Sequence, residues 1–153
     1  MAKPARHANP TQILSPSRTF FVTTKTAMGR ALLQSERNAT LLIDVLRSYV
    51  AAGKFYLHDF VVMPDHVHLI LKPMDSLTLS RIMKGIKGVS ANRLNQLRHR
   101  SGAFWQAESF DRILRNEQEF EEKLQYMLDN PVKAGLAATG WEYDGWYFNP
   151  DFN

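Results

Sequence analysis

The chain of 153 residues is long enough for one domain with a single core, since a chain of this length buries roughly 70% of its unfolded surface. Its 44% hydrophobic and 22% charged residues are typical of a globular protein, and no apolar run approaches the roughly 20 residues that span a bilayer. The absence of cysteine excludes disulfides, a thiolate nucleophile and a cysteine zinc site. Residues 1–17 lack the apolar region of a secretory signal, so we expect a cytoplasmic protein that contacts no membrane.

Positive charge is concentrated in two parts of the sequence, although the net charge is only +4. Residues 1–30 carry five basic and no acidic side chains, and residues 76–115 carry eight basic against two acidic ones. Residues 116–130 are acidic by contrast. This separation favours a polyanionic partner such as nucleic acid.

Hydrophobic periodicity predicts four strands and three helices. Strands are expected at 18–26, 55–63, 66–72 and 104–115, the last with an irregular middle, and helices at 35–50, 79–97 and 117–129. The central strands form a hairpin through Pro64-Asp65, and the third helix should end at Asn130-Pro131. This order matches a ferredoxin-like βαββαβ sandwich of class α+β with an extra helix. We therefore predict a flexible basic segment at 1–17, one domain at 18–135, and an aromatic tail at 136–153 that packs on it.

The stretch MPDHVHLIL, residues 63–71, places two histidines on one face of a strand. Successive strand side chains point to opposite faces, so His66 and His68 share a face while the aliphatic residues that alternate with them face the core. A two-residue loop sets Asp59 on the histidine face, diagonal to His68, and His58 on the core face. The imidazoles could chelate a divalent ion, with Asp59 as a ligand or a supporting carboxylate, or both could be solvated strand residues.

Tyr126 lies on the polar side of the third predicted helix. At about 100° per residue, Phe120, Leu124 and Met127 form the buried stripe, while Tyr126 and Asn130 point away from it, one turn apart. A tyrosine hydroxyl becomes a nucleophile when a base or cation stabilises its phenolate, and an amide at i+4 can orient or ligate the same metal. An ordinary surface tyrosine is the alternative.

Three motifs together resemble a known family. The sequence contains, in this order, VVMPDHVHLIL, FWQAESFDRILRNEQEF and YMLDNPVKAGL. These stretches are similar to those of the HUH-type single-tyrosine transposases, in particular the REP-associated tyrosine transposases of bacteria. The resemblance runs from about Arg18 to Trp146. It implies the HUH endonuclease fold and a tyrosine that attacks single-stranded DNA, leaving a 5′-phosphotyrosine and a free 3′-hydroxyl.

The resemblance also assigns roles to individual residues. It implies that His66 and His68 hold a divalent metal, Mg²⁺ or Mn²⁺, and that Tyr126 is the nucleophile. Asn130 stands where relatives carry a polar residue of the metal site, often the longer Gln. Family members act as monomers or as domain-exchanged dimers, and both remain open here. Because covalent capture conserves the phosphodiester bond energy, no small-molecule cofactor is expected.

Six basic residues are candidates for DNA contacts. Arg81, Lys84 and Lys87 recur every three residues along one flank of the second helix, where they could bind phosphates or simply face solvent. The other candidates are Arg93, Arg112 and Arg115. Phe104, Trp105 and Phe110 could stack a base, although aromatic residues on such a strand are more often core.

The leading hypothesis is a metal-dependent endonuclease and strand transferase that acts on hairpin-forming single-stranded DNA, such as short palindromic repeats. The alternative is a domesticated protein that binds hairpin DNA with little or no turnover. A third interpretation, a ferredoxin-like RNA-binding module, would need stacking aromatic residues where the strand carries His66 and His68.

Overall fold

The computed structural model describes residues 18–74 and 76–148, and the predicted flexible segment 1–17 lies outside them. It contains five strands and three helices. These are β1 (Phe20–Lys25), α1 (Glu36–Ala51), β2 (Phe55–Met63), β3 (His66–Pro73), α2 (Leu79–Leu97), β4 (Phe110–Ile113), α3 (Glu117–Lys133) and β5 (Trp146–Phe148). Within the described ranges, none of the helices has the length and apolar character needed to cross a membrane.

The strands form one antiparallel sheet in the order β4-β1-β3-β2-β5. The first four strands have the order of a ferredoxin-like sandwich, so the predicted α+β fold class is confirmed. Strand β5 was not predicted, because it is only three residues long and lies in a turn-rich tail. It pairs with β2, so part of the predicted aromatic tail adds a strand to the sheet.

The two faces of the sheet carry separate cores. Helices α1 and α2 cover one face, where Val22, Leu69 and Ile86 belong to the larger apolar cluster. Helix α3 covers the other face, where Phe21, Ile70, Phe120, Met127 and Trp146 are among the members of a second cluster. The predicted histidine face is the one beneath α3. Two helices therefore cover one face of the sheet, whereas a single helix covers the other face, on which the histidines lie.

An N-cap side chain stabilises the N-terminus of each of the three helices. Ser35, Thr78 and Asn116 each accept a hydrogen bond from the backbone N–H three residues later, which satisfies one of the free donors of the first turn. The predicted end of the third helix at Asp129 is wrong. Pro131 lies within the last turn of α3, where it removes one N–H, and Gly135 at φ 73° then ends the helix.

Two further predictions about strands need correction. The strand predicted at 104–115 is regular only over β4, because Phe104 and Trp105 turn into the larger core and Trp105 donates to Ser90 Oγ. The hairpin register is confirmed, with Asp59 opposite Ile70, but a bulge lies between Leu57 and Asp59. The extra residue turns His58 away from the predicted core face, and its ring packs on Phe120 of α3.

Candidate active site

The two histidines lie side by side at the start of β3, on the face beneath α3. Their ring centroids are 4.7 Å apart. His66 is partly exposed, whereas His68 is buried and stacks on Phe21. The strand alternation that placed them on one face thus brings the two imidazoles into contact.

The last turn of α3 brings Asn130 to both histidines. Its Oδ1 lies 2.8 Å from Nε2 of His66 and 3.0 Å from Nε2 of His68. One amide oxygen therefore meets two ring nitrogens that belong to a strand more than sixty residues earlier in the chain. The three atoms Oδ1, Nε2 and Nε2 form a compact group, which we call the His-His-Asn cluster.

Neighbouring side chains orient the other nitrogen of each ring. Nδ1 of His66 lies 2.7 Å from Asp65 Oδ1, and because a carboxylate only accepts, this nitrogen is the donor. Nδ1 of His68 lies 2.7 Å from Thr23 Oγ1, which can accept in the same way. Burial, with the charge of His66 second, lowers the pKa of His68 to about 3, so this ring is neutral at ordinary pH. A neutral ring that carries its proton on Nδ1 presents the lone pair of Nε2 to the cluster.

These residues fit a divalent metal ion. When each ring carries its proton on Nδ1, Oδ1 and both Nε2 atoms are acceptors, so the contacts of 2.8 and 3.0 Å from Oδ1 to the two Nε2 atoms are repulsive unless a cation lies among them. Adjacent ligands of a small octahedral ion are about 3.0 Å apart, because each lies about 2.1 Å from the metal. In the part of the chain described here, no group of three His, Cys, Asp or Glu side chains is placed to hold a metal ion, so the amide of Asn130 is the candidate for a third protein ligand. Such a set leaves several metal positions open for water or substrate.

Tyr126 lies beside the cluster in the same chain. Its ring centroid is 5.4 Å from that of His68, and 44% of the residue is exposed. The Nζ of Lys123, one turn earlier on α3, lies 5.2 Å from the centre of the Tyr126 ring. The ammonium thus makes a cation–π contact with the ring.

An open cleft of about 690 Å³ joins these groups. Tyr126, His66, His68 and Asn130 contribute to its wall, and Lys25 and Lys123 add positive charge. Phe110 and Gln106 lie on the β4 side of the same cleft. The arrangement offers a nucleophile, a place for a cation and an accessible path for an anionic substrate.

Asp59 is not brought to the cluster. It lies on the predicted face, but it is 1% exposed, its carboxylate contacts the ring of His58, and it does not line the cleft. The α3 side chains that pack over this part of the sheet separate it from the open cleft.

The six basic candidates occupy different surfaces. Arg81, Lys84 and Arg93 are exposed on α2, across the sheet from the histidines. Lys87 is partly buried and donates to the carbonyls of Gln106 and Ala107 at 2.7 and 3.1 Å. Burial lowers its pKa.

The two remaining basic candidates flank the start of α3. Arg112 shares the face of Phe21, its partner in β1, and donates to Glu119 at 3.2 Å. Arg115 is exposed, and its backbone N–H donates to the same carboxylate at 2.9 Å. The structure therefore does not gather the basic candidates into one surface around the cleft.

The sequence analysis missed several residues of the site, among them Asp65, Lys123 and Thr23. Asp65 directly precedes His66, and Lys123 lies three residues before Tyr126, so sequence spacing alone could have suggested both. Thr23 reaches His68 because β1 pairs with β3. This pairing carries no local sequence signal.

Comparison with known proteins finds a matching family and several relatives. Residues 21–127 match the family described as "Transposase IS200 like". A Haemophilus influenzae protein named as a REP-associated tyrosine transposase is 21% identical over 135 residues, covering 76% of this chain and 77% of the relative. The ISDra2 transposase TnpA of Deinococcus radiodurans is 38% identical over 53 residues, or 35% of this chain and 38% of the relative.

Solved structures share the fold. A REP-associated tyrosine transposase bound to a REP hairpin superposes with a TM-score of 0.67 at 22% identity, covering 99% of this chain and 85% of the other. A transposase structure from Deinococcus radiodurans R1 gives a TM-score of 0.57 at 23% identity, covering 82% of this chain and 95% of the other. Since the family match spans most of the sequence, this chain belongs to the IS200-like family of tyrosine transposases, which are enzymes that cleave and join DNA.

Proposed function

We propose that this protein is a metal-dependent single-stranded DNA endonuclease and strand transferase in which Tyr126 is the nucleophile. The observation that carries the proposal is the position of Tyr126, which lies against His68 and shares one cleft with the His-His-Asn cluster. We propose hairpin-forming DNA as the substrate, reached in the cytoplasm. The REP hairpin bound by a structural neighbour supports this choice.

The residues of the chain suggest how the cleavage step proceeds. The Tyr126 oxygen attacks the scissile phosphorus and the bond from phosphorus to the 3′ oxygen breaks, so the 5′ end becomes a phosphotyrosine and the 3′ end a hydroxyl. The phenol proton passes to solvent and the departing oxygen takes one up. Lys123 adds positive charge to the cleft that receives the phosphate. Attack by a 3′-hydroxyl on the phosphotyrosine reverses the chemistry and joins a strand. A divalent ion held by His66, His68 and Asn130 would neutralise charge on the phosphate oxygens.

Covalent capture is the direct test. A labelled hairpin-bearing single strand is incubated with Mg²⁺ or Mn²⁺, and the products are separated on a denaturing gel. We expect a protein-linked band that disappears in Tyr126→Phe and persists in Tyr49→Phe, since Tyr49 packs with the core on the other sheet face. Tight binding without an adduct in either metal would support the alternative, a domesticated hairpin-binding protein.

The proximity of Tyr126 to its own histidines favours cleavage by a single chain over domain exchange. Mixing Tyr126→Phe protein with His66→Ala protein distinguishes these arrangements. If each chain uses its own tyrosine, the mixture stays inactive, because each chain lacks one essential group. Restored adduct formation would instead indicate an exchanged dimer.

Contacts with DNA remain predictions for the six basic candidates, Arg81, Lys84, Lys87, Arg93, Arg112 and Arg115. Phosphate contacts by side chains should contribute to the salt dependence of binding, about 0.7 per contact in the slope of log K against log salt for a single strand. Neutralising the exposed Arg81 or Lys84 should therefore make this slope smaller. Neutralising Lys87 should change the slope less, because its ammonium already donates hydrogen bonds to backbone carbonyls of the protein.

A further inference from the structure

Phe110 is a large aromatic residue exposed at the edge of the candidate active site. It is 58% exposed and is the first residue of β4, an edge strand. An apolar ring of this size on a cleft wall suggests a partner with an aromatic face. We propose that Phe110 stacks an unpaired base of the bound DNA strand next to the scissile phosphate, an inference that rests on the proposed function.

The sheet places Phe110 in line with the histidines. Phe110 is the register partner of Thr23 on β1, and Thr23 is the partner of His68 on β3. Residues opposite each other in a sheet share a face, and two strand spacings correspond to about 10 Å. Phe110 therefore stands on the histidine face, two strand spacings from His68. Both line the same cleft.

Several hydrogen bonds fix the backbone just before Phe110. The backbone N–H of Gln106 donates to Lys25 O at 2.8 Å, and its side-chain amide donates to Thr26 O at 3.2 Å. Ser109 Oγ lies 2.9 Å from Thr24 Oγ1, and Lys87 reaches the carbonyl of Gln106 at 2.7 Å from the other side. Phe110 thus projects from an anchored segment, and a rigid platform loses little conformational entropy when a base stacks on it.

The surroundings of Phe110 suit a base better than a phosphate. A hollow of about 280 Å³ adjoins the cleft and is bounded by Thr23, Lys25, Gln106, Glu108, Ser109 and Phe110. The carboxylate of Glu108 repels a phosphate but can accept a hydrogen bond from a base amino group. Lys25, the register partner of His66, lies on the side of the cluster and can contact the backbone phosphate. Base and phosphate would therefore bind on opposite sides of the hollow.

Abasic substitution tests this stacking position by position. Tyr126→Phe protein, which binds without turnover, is titrated with a hairpin-bearing single strand in which one flanking nucleotide at a time is made abasic. At one position next to the scissile phosphate we expect about tenfold weaker binding. In Tyr126→Phe protein that also carries Phe110→Ala, the intact strand should bind about tenfold more weakly, and the same abasic position should add little further loss.

Matched variants separate stacking from general effects. Phe110→Tyr should keep the position-specific loss, and Phe110→Leu, which keeps an apolar side chain on the strand, should lose most of it. Met74→Ala removes another exposed apolar side chain, outside the cleft, and should leave every abasic loss unchanged. Equal losses with and without Phe110 on a strand that binds tightly would overturn the stacking and leave the proposed function intact. Failure to bind the intact strand would count against the proposed function and the stacking together.

Discussion

Two histidine sites lie on the same face of the sheet, and helix α3 places different kinds of side chain over each of them. His58 and Asp59 are 1% exposed each and lie beneath Phe120, whose ring centroid is 4.5 Å from that of His58. His66 and His68 lie beside the other end of the helix, where Tyr126 and Asn130 line an open cleft. In each site a histidine contacts the carboxylate of an adjacent residue, Asp59 for His58 and Asp65 for His66. What distinguishes a structural pair from a candidate catalytic one is therefore whether the covering helix places an apolar ring or polar groups above it.

The largest effect is expected when the open site, which contains His66 and His68, is disrupted. His66→Ala removes one imidazole of the His-His-Asn cluster, the proposed metal site, so the rate of adduct formation should fall roughly 10³-fold, as for other losses of transition-state charge stabilisation. Adduct formation on a denaturing gel with Mn²⁺ measures this loss. His58→Ala, assayed at the same concentration of folded protein, is the control and should retain nearly full activity. Equal losses in the two variants would contradict the distinction between the sites.

Breaking the buried site should affect stability instead. Asp59→Ala leaves a buried imidazole without the carboxylate that contacts it, which should lower the free energy of unfolding by about 2 kcal/mol. Urea denaturation followed by circular dichroism measures the change. Adduct formation per folded molecule should stay close to that of the unaltered protein. A large loss of activity with unchanged stability would instead place Asp59 in the catalytic site.

A smaller effect should follow when the orientation of one histidine is disturbed. Asp65→Ala removes the acceptor that holds His66 with its proton on Nδ1, so affinity for Mn²⁺ should fall about tenfold to a hundredfold. Titration calorimetry of the DNA-free protein measures this affinity. Asp44→Ala, an exposed carboxylate on α1, provides a charge-matched control. No change in affinity would show that Asp65 does not support the metal site.

The smallest expected effect concerns the start of α3, the end of the helix that covers the buried pair. Arg112→Gln removes a surface ion pair with Glu119, which should cost about 0.5 kcal/mol of stability. Urea denaturation measures this change. A much larger cost would mean that the ion pair holds this end of α3 over His58 and Asp59.

Local patterns predicted the parts of the site that depend on one element or one tight turn. Strand alternation placed His66 and His68 together, and helical periodicity turned Tyr126 and Asn130 away from their own core stripe. The length of the hairpin loop gave the correct register opposite β3. Each of these results needs only sequence spacing, because the geometry repeats over a few residues.

The remaining features depend on contacts between distant segments. The bulge that redirects His58 cannot be inferred from the spacing of residues along β2, and the position of Asp59 beneath α3 depends on how the helix docks. The contact of Thr23 with His68 requires the β1–β3 pairing. Strand β5 forms only because the β2 edge offers it backbone partners.

The bond between Lys87 and the segment before β4 has a consequence for how this protein responds to ions. An ammonium that already donates to two carbonyls has fewer donors free for a DNA phosphate, so it should displace fewer of the cations condensed on the DNA. Arg112, paired with Glu119, is similarly engaged. The number of ions displaced by DNA should therefore be smaller than the count of basic residues suggests. Binding should accordingly withstand rising ionic strength better than the sequence pI of 9.5 implies.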